Sequence, residues 1–353
     1  MSQRLYLRPT GFVDAPFGHD GQVLRLAGGL CWFSAVEIIA VEGLRRVRRQ
    51  LVPVERLDDM LDAEGRAILA RLNAPRAALT LGARVIRLDQ PQVMAIVNAT
   101  PDSFSDGGAY DPVAHAMDAL TAGAALVDVG GESTRPGAQP VWEGDEIARV
   151  RPVVERLATA GAAISIDTRK ASVMEAALNA GAGLVNDVSA LTWDDRALAA
   201  AAARGCPVVL MHHQGQPETM QADPHYDDVL IEVYDWLEAR IEAAVAAGVA
   251  RDRIIVDPGI GFGKTLRHNL ALLNGLSLFH GLGCPVLLGA SRKRTIGALS
   301  GEAPVDRRLG GSVALTVLGA TQGVQLHRVH DAFETVQALR VWRGLRDEAL
   351  SPA

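Results

Sequence analysis

Cysteine is scarce in this chain, with three among 353 residues at Cys31, Cys206 and Cys284, too few and too widely spaced for a disulfide framework or a Cys/His zinc site. Cys206 and Cys284 each precede Pro and an apolar run, the setting of a small buried thiol, and unpaired thiols point to a reducing cytoplasm. Positive charge is also in short supply. The net charge is −6, so no global basic field draws nucleic acid, and an anionic ligand has to be held by a few local cations. Long apolar runs are missing: Glu37 and Glu42 interrupt the best candidate for a membrane span. The opening MSQRLYLRPTGF lacks the apolar stretch of a signal peptide, so the expectation is a cytoplasmic protein with neither membrane nor nucleic acid as partner. Aromatic residues make up only 5%, against 48% hydrophobic residues rich in Gly and Ala, a mix that suits tightly packed α/β layers.

From about residue 92 onward one pattern repeats: an amphipathic helix ends at Gly, a short Val/Ile/Leu strand follows, and a polar residue closes it. The strands are MAIVN to Asn98, ALVDVGGE to Glu132, AISID to Asp167, GLVND to Asn186, PVVLMH to His212, RIIVD to Asp257, PVLLGAS to Ser291 and VQLHRVH to His330. Continuously apolar strands alternating with helices imply a parallel sheet covered on both faces. Eight such units in about 250 residues match a closed (β/α)8 TIM barrel. An open doubly wound sheet is the alternative, but no GxGxxG opens the first unit. In a barrel the polar strand ends converge on one face, where active sites lie. Residues 1–88 do not follow the pattern. LYLRPTGFV and GLCWFSAVEIIAVE read as strands, Leu57 to Leu72 as a helix, and the basic LRRVRRQ as a solvated face. The expected division is a small N-terminal α/β extension over 1–88 and the barrel over 89–348.

Two kinds of group gather at the strand ends. Asp167, Asn186 and Asp257 present acceptors and an amide, which suit a flat heterocycle bearing amino and amide N–H groups. Arg135, Lys293, Arg328 and His330 are cationic or donor groups of the kind that hold phosphate. NATPDSFSDGG (98–108) and GGESTRPG (130–137) are longer and more Gly-bounded than a turn requires, so each is a candidate lid over the pocket.

The motifs NATPDSFSDGG, GGESTRPG, SIDTRK, VNDVSA, LMHHQGQPETMQ, DPGIGFGK, GASRKR and HRVHD, in this order, closely resemble those of the dihydropteroate synthase family over roughly residues 92–345. The resemblance implies a transferase of folate biosynthesis, a target of sulfonamides. It would join 6-hydroxymethyl-7,8-dihydropterin pyrophosphate to 4-aminobenzoate and release pyrophosphate. Carried over by motif, Asp167, Asn186, Asp257 and Lys293 would bind the pterin, with Met211 and Phe262 packing near it. Asn98 would ligate a Mg²⁺-pyrophosphate, while Thr134, Arg135, Arg328 and His330 would clamp the pyrophosphate. Phe104, Pro136 and Ser291 would line the aminobenzoate site, and Asp106 would stabilise positive charge at the reacting carbon. Asp106, Arg135 and Lys293 are thus the expected catalytic residues, Mg²⁺ the cofactor, and a homodimer the expected assembly. Ala99 and His213 depart from the usual Val and Met of the family's motifs; neither change removes a carried-over functional group, and His213 is expected to face solvent.

Overall fold

A computed structural model describes residues 3–99, 111–132, 141–215 and 219–351. Eight parallel strands form the central sheet: β7 (Gln92–Asn98), β8 (Leu126–Gly130), β9 (Ile164–Asp167), β10 (Leu184–Asp187), β11 (Val208–Met211), β12 (Ile254–Asp257), β13 (Leu287–Leu288) and β14 (Leu326–Val329). They pair in the order β12-β11-β10-β9-β8-β7-β14-β13, and a parallel bridge between Val256 and Val286 closes the ring. The TIM barrel expected from the repeat is therefore present, with helices covering its outer face.

Seven of the eight strands contribute an apolar residue to one layer inside the ring, Met94, Leu126, Leu184, Val209, Ile255, Leu287 and Leu326, joined by Ala163 just before β9. All are almost fully buried. A two-stranded hairpin, β5 (Leu79–Leu81) and β6 (Arg84–Ile86), inserts Leu79, Leu81, Ile86 and Leu88 into the same cluster and plugs the barrel's N-terminal end. The expected division at 88/89 thus separates the barrel from its own plug. The hairpin was not legible as such because three-residue strands carry too little periodicity to register.

The preceding residues form an antiparallel sheet around the long strand β3 (Trp32–Glu42). β1 (Arg4–Val13) lies on one edge, and β2 (Leu24–Arg25) and β4 (Arg45–Pro53) lie on the other. The basic LRRVRRQ run falls largely on β4, where Arg45 and Arg48 are a solvated face as expected, while Arg46 and Arg49 turn back to pair with Asp228 and Glu37. The helix expected over Leu57–Leu72 breaks at Leu61, where Asp62 accepts from Gly65 N at 2.8 Å and starts a new helix at Ala63.

Because the plug completes the interior layer, Leu81→Ala is expected to destabilise the whole barrel by about 2–5 kcal/mol, the cost of a core cavity. Urea unfolding followed by circular dichroism checks this. A chain starting at residue 89 is expected not to fold, whereas one starting at residue 75 retains the plug and the barrel's helical signal.

Candidate active site

Alternation along each strand decides which side chains enter the lumen above the apolar layer. Side chains two apart on a strand share a face, so the residue two beyond each layer member also points inward. That rule leads from Leu126 to Asp128, Leu184 to Asn186, Val209 to Met211, Ile255 to Asp257, and Leu326 to Arg328. From Ala163 it leads through Ser165 to Asp167, and from Met94 through Ile96 to Asn98. Among the described residues the expected pterin group therefore does meet in one place. Asp128, fully buried, joins it, although reading β8 only for its polar end passes over a mid-strand carboxyl.

The floor is tied together by charge. Arg328 Nε donates to Asp128 Oδ2 at 2.6 Å, and its Nη2 donates to Asp167 Oδ2 at 2.5 Å. Asn186 Nδ2 donates to the same Asp128 oxygen at 2.9 Å. Burial works against the Arg328 charge, but Asp128 and Asp167 outweigh it and hold the guanidinium above its ordinary range. One cation does not offset two enclosed carboxyls. Burial pushes the Asp167 carboxyl up to about 7; Arg328 opposes this, while Asp128, Glu146 and Asp187 add to it. Asp128 Oδ1, Asp167 Oδ1 and Ser165 Oγ are buried without a hydrogen-bond partner among the described residues. Such orphaned acceptors in a lumen are what a ligand rich in N–H groups would satisfy.

Asp257 lies across the pocket. Its Oδ1 accepts from Gly259 N at 2.7 Å, and burial raises its carboxyl above the ordinary range against the pull of Lys293. Lys293 Nζ hydrogen-bonds to Ile260 O and stands 4.4 Å from the centre of the Phe262 ring. Burial pushes this amine down to about 8, with Asp257 opposing and Arg328 adding to the shift. Met211 closes the wall at the end of β11.

The rim is set by two turns that hold each other. His330 N and Nδ1 lie 3.2 and 3.1 Å from Ser291 Oγ. Arg292, at a left-handed φ of 57°, pairs with Asp331 through Nε and Oδ2 at 2.9 Å. The strain in that backbone is one sign of a built site. Asn98 ends β7 exposed on the same rim. Behind the floor, Glu132 accepts from Val141 N and Lys170 Nζ, both at 2.9 Å, and from Arg169 Nη2 at 3.4 Å. Burial pushes Glu132 up, but these donors outweigh it and hold the carboxyl below its ordinary value. Lys170 also bridges to Glu146 at 2.5 Å. This buried network spans distant sequence segments, and the motifs GGESTRPG and SIDTRK that carry Glu132, Arg169 and Lys170 do not reveal their pairing. His213 is half-buried rather than solvent-facing, 3.1 Å from Gly215 O and edge-on to Trp236. Phe104, Asp106, Thr134, Arg135 and Pro136 lie outside the described residues.

The family model of pterin binding enzymes matches residues 94–330. The chain is 48% identical over 259 residues to the dihydropteroate synthase of Escherichia coli (strain K12), covering 72% of this chain and 91% of that one. It superposes on a Xanthomonas albilineans dihydropteroate synthase holding 4-aminobenzoic acid with a TM-score of 0.72 and 48% identity, covering 77% of this chain and 98% of that one. The same enzyme in complex with 7,8-dihydropteroate gives a TM-score of 0.69 at 46% identity, with coverage of 76% and 98%.

The sharing of one cation by two carboxyls is open to direct measurement. In ¹³C-carboxyl NMR, Asp128→Asn is expected to lower the Asp167 midpoint below 7, since a repelling carboxyl is gone. Arg328→Met is expected to raise it, and unmoved midpoints in both would mean that burial alone sets the value.

Proposed function

The chain belongs to the dihydropteroate synthase family, transferases of folate biosynthesis that join a dihydropterin pyrophosphate to 4-aminobenzoate, and on that premise we propose the following roles for its residues. Asp128, Asp167, Asn186 and Asp257 hold the edge of the pterin. The observation that carries this is the pair of orphaned carboxyl oxygens on Asp128 and Asp167, aimed where the ring's amino and amide N–H groups need acceptors. Lys293 donates to the ring's acceptor side, and Met211 and Phe262 pack on its faces. Ser291 and His330 line the rim where the pyrophosphate and aminobenzoate meet. Arg328 reaches the pyrophosphate only by leaving one of its floor partners.

Departure of pyrophosphate leaves a cation delocalised from the methylene into the electron-rich ring. The chain's tasks are to orient the ring, neutralise the leaving group and keep water from the carbon. The arylamine attacks the carbon, the C–O bond to pyrophosphate breaks, and the amine proton passes to solvent; no nucleophilic side chain is needed. Thr134, Arg135 and Asp106, with Phe104 and Pro136 at the aminobenzoate, keep the roles that their motifs imply. Among the described residues no group of three or more His, Cys, Asp or Glu is placed to hold a metal. A phosphate-bound Mg²⁺ takes only one or two protein oxygens, and the exposed Asn98 amide at the barrel mouth fits that requirement. Bound there, Mg²⁺ would supply neutralisation of the leaving group's charge.

A homodimer is supported by the helix Leu309–Thr321, which leaves Leu309, Gly310, Ala314 and Leu318 exposed. The neighbouring helix Ala332–Ala349 exposes Phe333, Val341 and Leu345 at four- and eight-residue spacing, an unpartnered apolar stripe. No helix of the described residues is long and apolar enough to cross a membrane, and the three buried free thiols favour a reducing, cytoplasmic setting.

Purified chain with Mg²⁺, pterin pyrophosphate and 4-aminobenzoate is expected to release pyrophosphate and form dihydropteroate; absence of product overturns the assignment. Asp167→Asn and Asp257→Asn are each expected to weaken pterin binding by about 1.5–3 kcal/mol, measured by calorimetry. The protonated Asp167 carboxyl loses an acceptor, so pterin affinity is expected to fall as pH drops below about 7 and to level off above it. Asp167→Asn is expected to flatten that profile. Leu318→Asp combined with Val341→Asp is expected to shift the mass in solution from dimer to monomer by light scattering.

A further inference from the structure

Two lysines grip the same turn from opposite sides, and only one of them faces the pocket. After β12 the chain curls through Pro258–Lys264, with Gly259 at φ +67° and Gly263 at φ +63°. A Cβ at Gly259 would lie 1.8 Å from His212 O, and one at Gly263 would lie 2.2 Å from Gln214 O. The backbone of this turn therefore rests directly on the backbone leaving β11, and no larger residue fits between them. Lys293 holds the turn from the lumen through Ile260 O.

Lys264 holds it from behind. Its ammonium is buried, 3% exposed, and forms no ion pair among the described residues. Its Nζ instead donates to Phe262 O at 3.0 Å and His212 O at 3.4 Å and lies 2.9 Å from His212 Nδ1. Burial drives this amine well below its ordinary value; Asp257 opposes the shift and Lys293 adds to it. His212 is itself buried, its ring edge-on to Trp236 at 4.9 Å and tilted against Tyr226 at 6.0 Å. With Nζ donating to Nδ1, the neutral imidazole would carry its proton on Nε2, so the contact couples the lysine to the ring's tautomer. A buried lysine is costly to a fold, and an aliphatic residue would fill the same space more cheaply.

We propose that Lys264 is a positioning residue for the pterin. Paired with His212, it fixes the spacing between the turns after β11 and β12, and so the placement of Met211, Asp257 and Phe262 around the ring. This rests on the reading of those residues as the pterin site. Lys264 touches no substrate; it acts through the two carbonyls and the imidazole that it holds.

The test is calorimetric titration of 6-hydroxymethylpterin, a non-reacting probe, into the full chain, with thermal midpoints measured in parallel. Lys264→Met keeps the stem and removes the donors, and its pterin Kd is expected to rise at least tenfold, while KM for 4-aminobenzoate at saturating pterin pyrophosphate stays within twofold. His212→Gln, which keeps an oxygen for Nζ, is expected to remain within threefold of wild type, whereas His212→Leu reproduces the loss. The double variant Lys264→Met, His212→Leu is expected to bind no more weakly than either single one. A Kd unchanged within twofold in Lys264→Met, whatever happens to the thermal midpoint, overturns the role. Should Lys264→Met not fold, equal Kd values in His212→Gln and His212→Leu overturn it instead. A wild-type chain that binds no pterin overturns the site assignment and this role with it; wild-type binding beside an unaffected variant overturns the role alone.

Discussion

Two buried carboxyls share one guanidinium at the bottom of a lumen plugged by apolar side chains, and the rest of the site follows from that imbalance. Water does not reach the plugged end, so each polar atom above the apolar layer needs a partner from the strands or from a ligand. Arg328 supplies two N–H groups to Asp128 and Asp167, Asn186 supplies one, and two carboxyl oxygens still lack a partner among the described residues. Two things relieve that deficit: a proton, which the Asp167 carboxyl, pushed up to about 7 by burial, holds more readily than a free carboxyl, or a heterocycle bringing parallel N–H donors. Proton and ligand compete for the same oxygen. The floor thus excludes anions and accepts N–H edges, which sends a pyrophosphate outward to the rim without any group having to repel it locally.

The orientation of the whole substrate then comes from the depth of the barrel rather than from any single residue. Acceptors lie two and four residues above the apolar layer; Ser291, His330 and Asn98 lie at or beyond the strand ends. A ligand with donors at one end and phosphate at the other has one way to enter. The Arg292–Asp331 pair keeps the two rim turns in register, so that Ser291 and His330 stay in contact while the floor is filled.

Most of this was legible because a parallel barrel writes its strands as continuous apolar runs and its site at their polar ends. Asp167, Asn186 and Asp257 were found that way, whereas Met211 came only with the family resemblance; Gly123 and Gly181, expected at helix ends, do cap their helices in the left-handed region. Asp128 was passed over because it sits inside a run rather than at its end; only the apolar layer, with Leu126 two residues below it, reveals that it faces inward. The Glu132–Lys170–Glu146 network and the Lys264–His212 pair were invisible for a different reason. Each joins residues far apart in sequence through a buried lysine, and a lysine in a motif reads as a ligand group until its burial is known.

The N-terminal sheet belongs in the same account through one helix. Val229–Ala246 buries residues over a wider arc than contact with the barrel strands alone requires: Val229, Val233, Leu237, Ile241 and Ala244, and in addition Leu230 and Tyr234. Tyr234 packs edge-on against Tyr6 of β1 at 5.3 Å, and Tyr6 Oη donates to Asp235 Oδ1 at 2.7 Å. Arg4 pairs with Asp235 and Glu238, and Arg46 of β4 pairs with Asp228, the residue that caps the helix. A helix on a barrel's rim ordinarily shows water its outer face; here that face carries an apolar ring and three acids, and the preceding sheet covers the one and neutralises the others. The same helix presents Trp236 to His212. The sheet therefore stands one helix away from the pair that spaces the pterin turns, bracing from outside the family's shared segment a wall of the site that this segment builds.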